Sequence, residues 1–176
     1  MHAVLPILFG LAAVASATVP SNFRAAAAAS NCTLPADFIV TNFTTFTHKK
    51  NDTQSTVSFQ YSDPATKIHT TCQRNSTSIP SGPSKNIFQC GNANIAFIYQ
   101  TTGVAGLTVT ELACPGGSTL QFEASGLVTP ALDCTDTAVG TLCHANQTSL
   151  HGDFDSYEPV PTKASTRRNR ATWRVY

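Results

Sequence analysis

The most strongly patterned stretch of the chain is Asp37-Phe38-Ile39-Val40-Thr41-Asn42-Phe43-Thr44-Thr45-Phe46. Most of its residues are aromatic or β-branched, and two sets of side chains alternate along it with a period of two. This pattern is typical of a long β-strand. Beyond the first 17 residues, no long stretch has the period of a helix. We therefore expect an all-β protein.

Shorter stretches of the same kind follow at regular spacing. They are residues 57–61, 68–72, 87–90, 95–99, 107–112 and 120–124, with a weaker candidate at 127–129. Turn signals such as Asp63-Pro64, Gly91-Asn92 and Cys114-Pro115-Gly116-Gly117 separate them. About eight short strands at this spacing predict an antiparallel barrel or sandwich. Roughly 130 residues suffice for one core, so we expect a single domain.

The first 17 residues have the features of a signal peptide. They are apolar, too short for the roughly 20 residues that span a bilayer, and end in Ala15-Ser16-Ala17. No later stretch is apolar and long enough to be a transmembrane segment. The predicted location is therefore extracellular, after secretion.

The rest of the chain divides into three predicted segments. Residues 18–30 contain five consecutive alanines, Ala25 to Ala29, and have no amphipathic pattern. We therefore expect a flexible arm or pro-segment there. Residues 31–158 form the predicted β domain. Residues 159–176 begin with Pro159, are rich in arginine and lack periodicity, which indicates a disordered basic tail.

The chain has six cysteines, and all of them follow the predicted cleavage site. They are Cys32, Cys72, Cys90, Cys114, Cys134 and Cys143. An even number of cysteines in a secreted chain predicts three disulfides, whereas a metal site would need closely spaced pairs that are absent here. Spacing alone does not choose among the pairings.

Five sequons follow the predicted cleavage site, with acceptors at Asn31, Asn42, Asn51, Asn75 and Asn146. In a secreted chain they predict a glycosylated surface. All ten acids but only five of the eleven bases lie in residues 31–158, and five bases follow Glu158. The domain itself therefore lacks the basic face that a nucleic-acid partner requires.

No catalytic, cofactor-binding or metal-binding residue is assigned from the sequence. His144, His151, Asp153 and Asp155 resemble a metal-ligand cluster only locally, and we interpret them as part of a solvated, glycine-broken loop. Asp133 and Asp136 could in principle form a glycosidase pair. They flank Cys134, and we interpret them as exposed charges that increase solubility, in a loop held by a disulfide.

The order of strands and cysteines resembles the Alternaria major allergen-like family of secreted fungal proteins (AA1-like domain). The resemblance covers about residues 31–145. The stretches that carry it are Cys32, 37–43, 57–60, 71–72, 88–91, 95–97, 107–109, Cys114, Cys134 and Cys143. It implies a compact β-barrel, a fungal origin, and an elicitor, effector or allergen role at a host surface without established catalysis.

The resemblance also implies disulfides. It pairs Cys72 with Cys90 and Cys134 with Cys143. In the family an N-terminal cysteine can link two subunits. Here Cys114 is an extra partner, which suggests that Cys32 pairs with it within one chain. We therefore expect a monomer or weak dimer.

The leading functional hypothesis is a cysteine-rich effector-like protein that acts on a host or cell-wall surface component without catalysis. No cofactor is expected. The alternative is a small secreted hydrolase that acts on wall polysaccharide. A structural wall glycoprotein fits the sequons but not the core-forming strand pattern.

The signal-peptide hypothesis predicts the N-terminus of the secreted protein. Because signal peptidase accepts the small residues at 15 and 17, the mature chain should begin at or near Thr18, or after Arg24 if a protease trims the arm. N-terminal sequencing of secreted material checks this. Secreted protein that still begins with Met1 would contradict it.

Overall fold

A computed structural model describes residues 21–29, 32–81, 86–114 and 121–160. The predicted signal peptide and nearly all of the predicted basic tail lie outside the described residues. The elements are α1 (Ser21–Ala29), β1 (Asp37–His48), a 3-10 helix (Asp52–Gln54), β2 (Thr56–Asp63), β3 (Ile68–Arg74), β4 (Phe88–Gln89), β5 (Ile95–Gln100), β6 (Gly106–Ala113), β7 (Gln121–Val128), β8 (Leu132–Asp136), β9 (Gly140–Ala145), β10 (Ser149–Asp153) and β11 (Ser156–Val160).

The strands form two antiparallel sheets. The first has the order β3-β2-β1-β9-β8, and β10 also pairs with β1. The second has the order β11-β7-β6-β5-β4. The predicted all-β, antiparallel class with three disulfides is confirmed.

Strand β1 organises the first sheet because it pairs with β2, β9 and β10. Its register with β2 shifts between Thr41 and Thr44, and Asn42 has a φ of 55°. Asparagine tolerates this left-handed conformation better than most residues. The bulge changes which set of side chains is buried, from Phe38 and Val40 before it to Phe43 after it. The simple alternation expected across this stretch therefore breaks at Asn42.

One hydrophobic core fills the space between the sheets. The first sheet contributes Phe38, Val40, Phe43, Val57, Phe59, Tyr61, Cys72 and Leu150, and the second contributes Phe88, Ile95, Phe97, Leu107, Val109, Ala124, Val128 and Tyr157. The rings of Phe59 and Phe97 meet edge to face across the core, with centroids 5.0 Å apart. This geometry adds to the free energy of area burial.

Two glycines allow the sheets to approach each other beside β10. The Phe38 ring lies against Gly152 of β10 and Gly126 of β7. A Cβ atom on Gly152 would collide with Cζ of Phe38 and lie 2.6 Å from Cγ1 of Val128. A Cβ on Gly126 would lie 2.7 Å from Cε1 of Phe38. Only glycine leaves room for the ring at these two positions.

The disulfides are Cys32–Cys114, Cys72–Cys90 and Cys134–Cys143. These are the pairs that the family resemblance implies. Cys72–Cys90 joins β3 of one sheet to the residue after β4 of the other, and the backbone N–H of Gly91 donates to the carbonyl of Thr71 at 2.9 Å beside it. The sheets are therefore held together along this side as well.

The N-terminal arm differs from its prediction. Residues Ser21–Ala29 form helix α1, the Ala27 side chain is buried, and the N–H of Cys32 donates to the Ala27 carbonyl at 3.0 Å. Alanine has the highest helix propensity, so a run of alanines can form a helix without an amphipathic pattern. Such a helix has no hydrophobic period, so the sequence pattern did not indicate it.

The C-terminal region is the larger correction. Residues 133–136, interpreted as part of a loop held by a disulfide, lie on β8, and residues 144–155, interpreted as a glycine-broken loop, include the end of β9 and all of β10. Strand β11 follows at Ser156–Val160, where no strand was predicted. Leu150, Phe154 and Tyr157 belong to the core although their neighbours are mostly polar or glycine. Residues 127 and 128 end β7 instead of forming a separate strand, and β11 runs to Val160, two residues past the predicted domain boundary.

The close approach at Gly152 predicts a stability defect. Gly152→Ala should lower the free energy of unfolding by about 1–3 kcal/mol, because the methyl group overpacks the site of the Phe38 ring. Thermal or urea unfolding measures it. In a Phe38→Leu background the smaller side chain leaves room, so the same substitution should cost less. Equal costs in both backgrounds would contradict this account.

Candidate functional site

A cluster of buried polar side chains lies near the end of β2. Asp63 and Glu111 are both 0% exposed, and Tyr61 is 1% exposed. The Tyr61 hydroxyl donates to Oε2 of Glu111 at 2.5 Å. Oδ1 of Asp63 accepts from the backbone N–H of Ala65 at 2.6 Å and of Thr66 at 3.0 Å, which closes the turn into β3.

Burial dominates the electrostatics of this cluster. It raises the pKa of Glu111, while the hydroxyls of Tyr61 and Thr66 act to lower that pKa and Asp63 acts to raise it. Burial also raises the pKa of Asp63, against the lowering by its hydrogen bonds from Thr66 and Ala65. Among the described residues, no donor lies within hydrogen-bond distance of Oε1 of Glu111 or Oδ2 of Asp63. The cluster can hold a proton, but its carboxyl groups are sealed from any substrate in this conformation.

A second buried hydroxyl ties the last strand to the segment before β1. Tyr157 of β11 donates to the carbonyl oxygen of Pro35 at 2.5 Å. Burial is the main cause that raises the pKa of Tyr157 to about 12. This phenol is therefore neutral at physiological pH and acts as a structural donor.

An open cleft of about 710 Å³ lies at the other end of β2. We call it the Arg74 cleft. Its volume falls within the roughly 300–1,000 Å³ of small-molecule sites. Most of its lining side chains carry a hydroxyl or an amide: Thr45, Thr47, Ser55, Thr56, Asn75, Ser76, Ser78, Asn86, Gln100, Thr101 and Thr102. Its other lining residues are Asp52, Val57, Arg74, Pro80, Phe88 and Tyr99.

The ends of β3 and β5 position the charged part of this cleft. Arg74 ends β3, and its Cζ lies 5.7 Å from the centroid of the Phe88 ring. Tyr99 of β5 packs edge to face against Phe43 with centroids 5.2 Å apart. Contact with Phe88 orients the guanidinium, because cations are attracted to the face of an aromatic ring.

Arg74 is a cation without a carboxylate partner among the described residues. Burial lowers the pKa of its guanidinium, and the neighbouring Tyr99 acts in the opposite direction, but no described carboxylate affects it. Burial raises the pKa of Tyr99, and Arg74 partly offsets this rise. An arginine remains charged under such conditions, so the cleft presents a partly desolvated positive charge.

The structure separates the histidines that were considered as metal ligands. His144 of β9 is opposite Thr44 of β1, and His151 of β10 is opposite Ile39, five residues away along the same strand. Both side chains are exposed. Nδ1 of His144 lies 3.3 Å from the Thr44 hydroxyl, and Nε2 of His151 lies 3.4 Å from the Ser149 hydroxyl. In the described part of the chain, no three His, Cys, Asp or Glu side chains form a potential metal site.

The acids considered there are also exposed. Asp153 and Asp155 lie at and just beyond the end of β10, and Asp133 and Asp136 lie on β8. Oδ1 of Asp136 accepts from the Thr141 hydroxyl at 2.6 Å.

Four sequon asparagines fall within the described residues. Asn42, Asn51 and Asn146 are exposed. Asn75 is half-buried in the cleft wall, where its Oδ1 accepts from the backbone N–H of Thr77 at 3.0 Å. Asn31 lies outside the described residues. Glycosylation of these residues stays a prediction.

Sequence reasoning missed the buried carboxyl groups, although the pattern contained a signal for both. Asp63 continues the buried alternation of Val57, Phe59 and Tyr61 along β2. Glu111 likewise continues the buried alternation of Leu107 and Val109 along β6. An acid in phase with core residues is a candidate for burial. The Arg74 cleft had no such signal, because β1, β2, β3 and β5 all contribute to it.

No protein-family model matches this chain, and no curated protein matches it. Among solved structures, it is similar to the crystal structure of Alternaria alternata allergen Alt a 1, with a TM-score of 0.48 and 11% sequence identity. The alignment covers 71% of this chain and 89% of that chain. The similarity is a distant structural one. Among the described residues, no helix has the length and hydropathy needed to cross a bilayer.

The buried Glu111 predicts a pH-dependent stability. Because its folded pKa is raised above the ordinary 4.5, its stabilising contribution is complete below that value and is lost as the pH rises. The slope can reach about 1.4 kcal/mol per pH unit for one proton. Glu111→Gln keeps an acceptor for Tyr61 and removes this slope, so the variant should gain stability over the wild type towards neutral pH.

Urea unfolding between pH 4 and pH 8 measures the difference, because this range begins below the ordinary pKa of 4.5 and extends past neutral pH. Glu123→Gln is the matched control, since Glu123 lies exposed on the adjacent strand β7. Parallel stability curves for the wild type and Glu111→Gln would contradict the assigned burial effect.

Proposed function

We propose that this protein is secreted and acts without catalysis at a host or cell-wall surface, where it binds a surface component through the Arg74 cleft. The finer assignment, a fungal effector or elicitor similar to the Alternaria major allergen, rests on the pattern of cysteines and aromatic residues in residues 31–145. The cleft itself supports the binding role independently of that pattern.

The observation that carries the proposal is the contrast between the two polar regions. The accessible cleft has a cation and many hydroxyls and amides, but Asp52 is the only carboxylate among its described lining residues. Glycoside hydrolysis commonly needs two carboxyl groups that flank the scissile bond. The chain's buried pair, Glu111 and Asp63, is sealed in the core. The accessible groups are therefore suited to binding.

Covalent cross-linking supports an extracellular location. All the cysteines form disulfides, and such bonds persist in oxidising compartments. Disulfides restrict the unfolded chain and thereby stabilise the folded domain. A domain cross-linked in this way therefore keeps its binding surface folded outside the cell.

A steric block of the cleft tests the proposal. Thr102→Trp places a bulky side chain at an exposed lining position without changing charge, and it should weaken retention on insoluble wall material by about tenfold or more, equal to about 1.4 kcal/mol. Sedimentation of wall fragments with the purified protein measures retention. Thr135→Trp is the matched control, because Thr135 is exposed on β8 and outside the cleft lining.

The same assay reports on the alternative function. Retention that is equal in both variants and the wild type would contradict binding through the cleft. Sustained release of reducing sugars that Asp52→Asn abolishes would contradict the non-catalytic role and favour the hydrolase.

A further inference from the structure

We propose that the Arg74 cleft selects an acidic saccharide, a uronic acid within an otherwise mostly neutral oligosaccharide, and binds its carboxylate through Arg74. This inference rests on the proposed function and deepens it, because it names the chemical class of the ligand. The argument depends on the cation, on the composition of the walls and on the charge around the cleft.

The cation favours a planar anion. The Arg74 guanidinium has five donors in a fork that matches the two oxygens of a carboxylate. Its position 5.7 Å from the Phe88 centroid limits its rotamers, so little freedom is lost when a ligand binds. The guanidinium is partly desolvated, and no described carboxylate pairs with it. A carboxylate from outside therefore supplies the missing counter-charge.

The walls favour a sugar over an apolar acid. Hydroxyl and amide groups of Asn86, Gln100, Thr101 and Thr102 line the cleft, and each can both donate and accept hydrogen bonds. The hydroxyls of a saccharide have the same dual capacity. An apolar ligand would leave these groups without partners at a cost in binding free energy.

The surrounding charge favours a ligand with few acids. Asp52 also lines the cleft, and residues 31–158 contain all ten acids of the chain but only five bases. Like charges repel a dense polyanion as it approaches, and a single guanidinium neutralises only one charge. A chain of consecutive uronic acids, a nucleic acid or a multiply phosphorylated sugar therefore fits less well than an isolated uronate among neutral sugars.

The experiment uses the secreted protein after enzymatic deglycosylation, since a glycan on Asn75 would stand in the cleft wall. The probes are a tetrasaccharide with one glucuronic acid, the same tetrasaccharide with that acid reduced to the alcohol, a tetragalacturonate, and a tetrasaccharide of neutral sugars that carries one phosphate group. Isothermal titration measures the affinities. The reduced sugar differs from the first probe only in the carboxylate.

Two substitutions of Arg74 and one control separate charge from geometry. Arg74→Gln should weaken binding of the glucuronate probe by about tenfold or more and leave binding of the reduced sugar unchanged. Arg74→Lys keeps the charge but loses the fork of donors, so its affinity for the glucuronate probe should lie between those of the wild type and Arg74→Gln. Lys67→Gln removes one positive charge from an exposed turn just before β3, at the opposite end of that strand from Arg74, and should have no effect.

The outcomes distinguish this inference from the function on which it rests. The inference is supported if the wild type binds the glucuronate probe more tightly than the other three probes and Arg74→Gln loses this preference. Equal affinity for the acidic and reduced sugars overturns it and leaves the proposed function intact if Thr102→Trp weakens both. If the tetragalacturonate or the phosphate probe binds more tightly than the glucuronate probe, the assignment of an isolated uronate as the ligand is wrong. If no probe binds while wall retention depends on the cleft, the acidic-saccharide class is wrong.

Discussion

The contact of the Phe38 ring with Gly126 and Gly152 is the constraint on which the rest of the structure depends. It lets β10 of the first sheet approach β7 of the second, where the N–H of Asp155 donates to the carbonyl of Ser125 at 3.0 Å. The ring also packs against Phe154, with centroids 5.0 Å apart. Larger side chains at the two glycine positions would hold the sheets apart, because protein interiors are already close-packed.

This closure gives the two ends of β2 different chemistry. At the end near Asp63, the Phe38 ring stacks on Tyr61 with centroids 6.0 Å apart, and Glu111, which accepts from the Tyr61 hydroxyl, is fully buried. At the other end, around Thr56 and Arg74, the sheets leave an open polar cleft. Ionisable groups at one end are thus structural, whereas those at the other end are free to meet a ligand.

The sequence predicted a large part of the fold because burial and strand period coincide in several strands up to residue 128. In β2 and β6, alternate side chains are buried as their apolar pattern indicates. The prediction failed where burial depends on few residues. In β10 and β11, Leu150 and Tyr157 reach the core among serine, glycine and acidic neighbours, so the local pattern was too weak to indicate a strand. For the candidate site, the histidines and acids singled out from sequence proximity do not converge, since neighbours in sequence diverge along a strand.

The sequence by itself determined the class of the protein: an all-β chain with three disulfides, because period-two patterns and an even number of cysteines are local or countable properties. Only the tertiary structure decided where the core acids and the polar cleft lie. The bulge at Asn42 changes the buried face of β1, and the Arg74 cleft gathers residues from separate strands and loops. Register, closure and the desolvation of a charge depend on contacts between residues distant in the chain, and a local pattern contains no information on them.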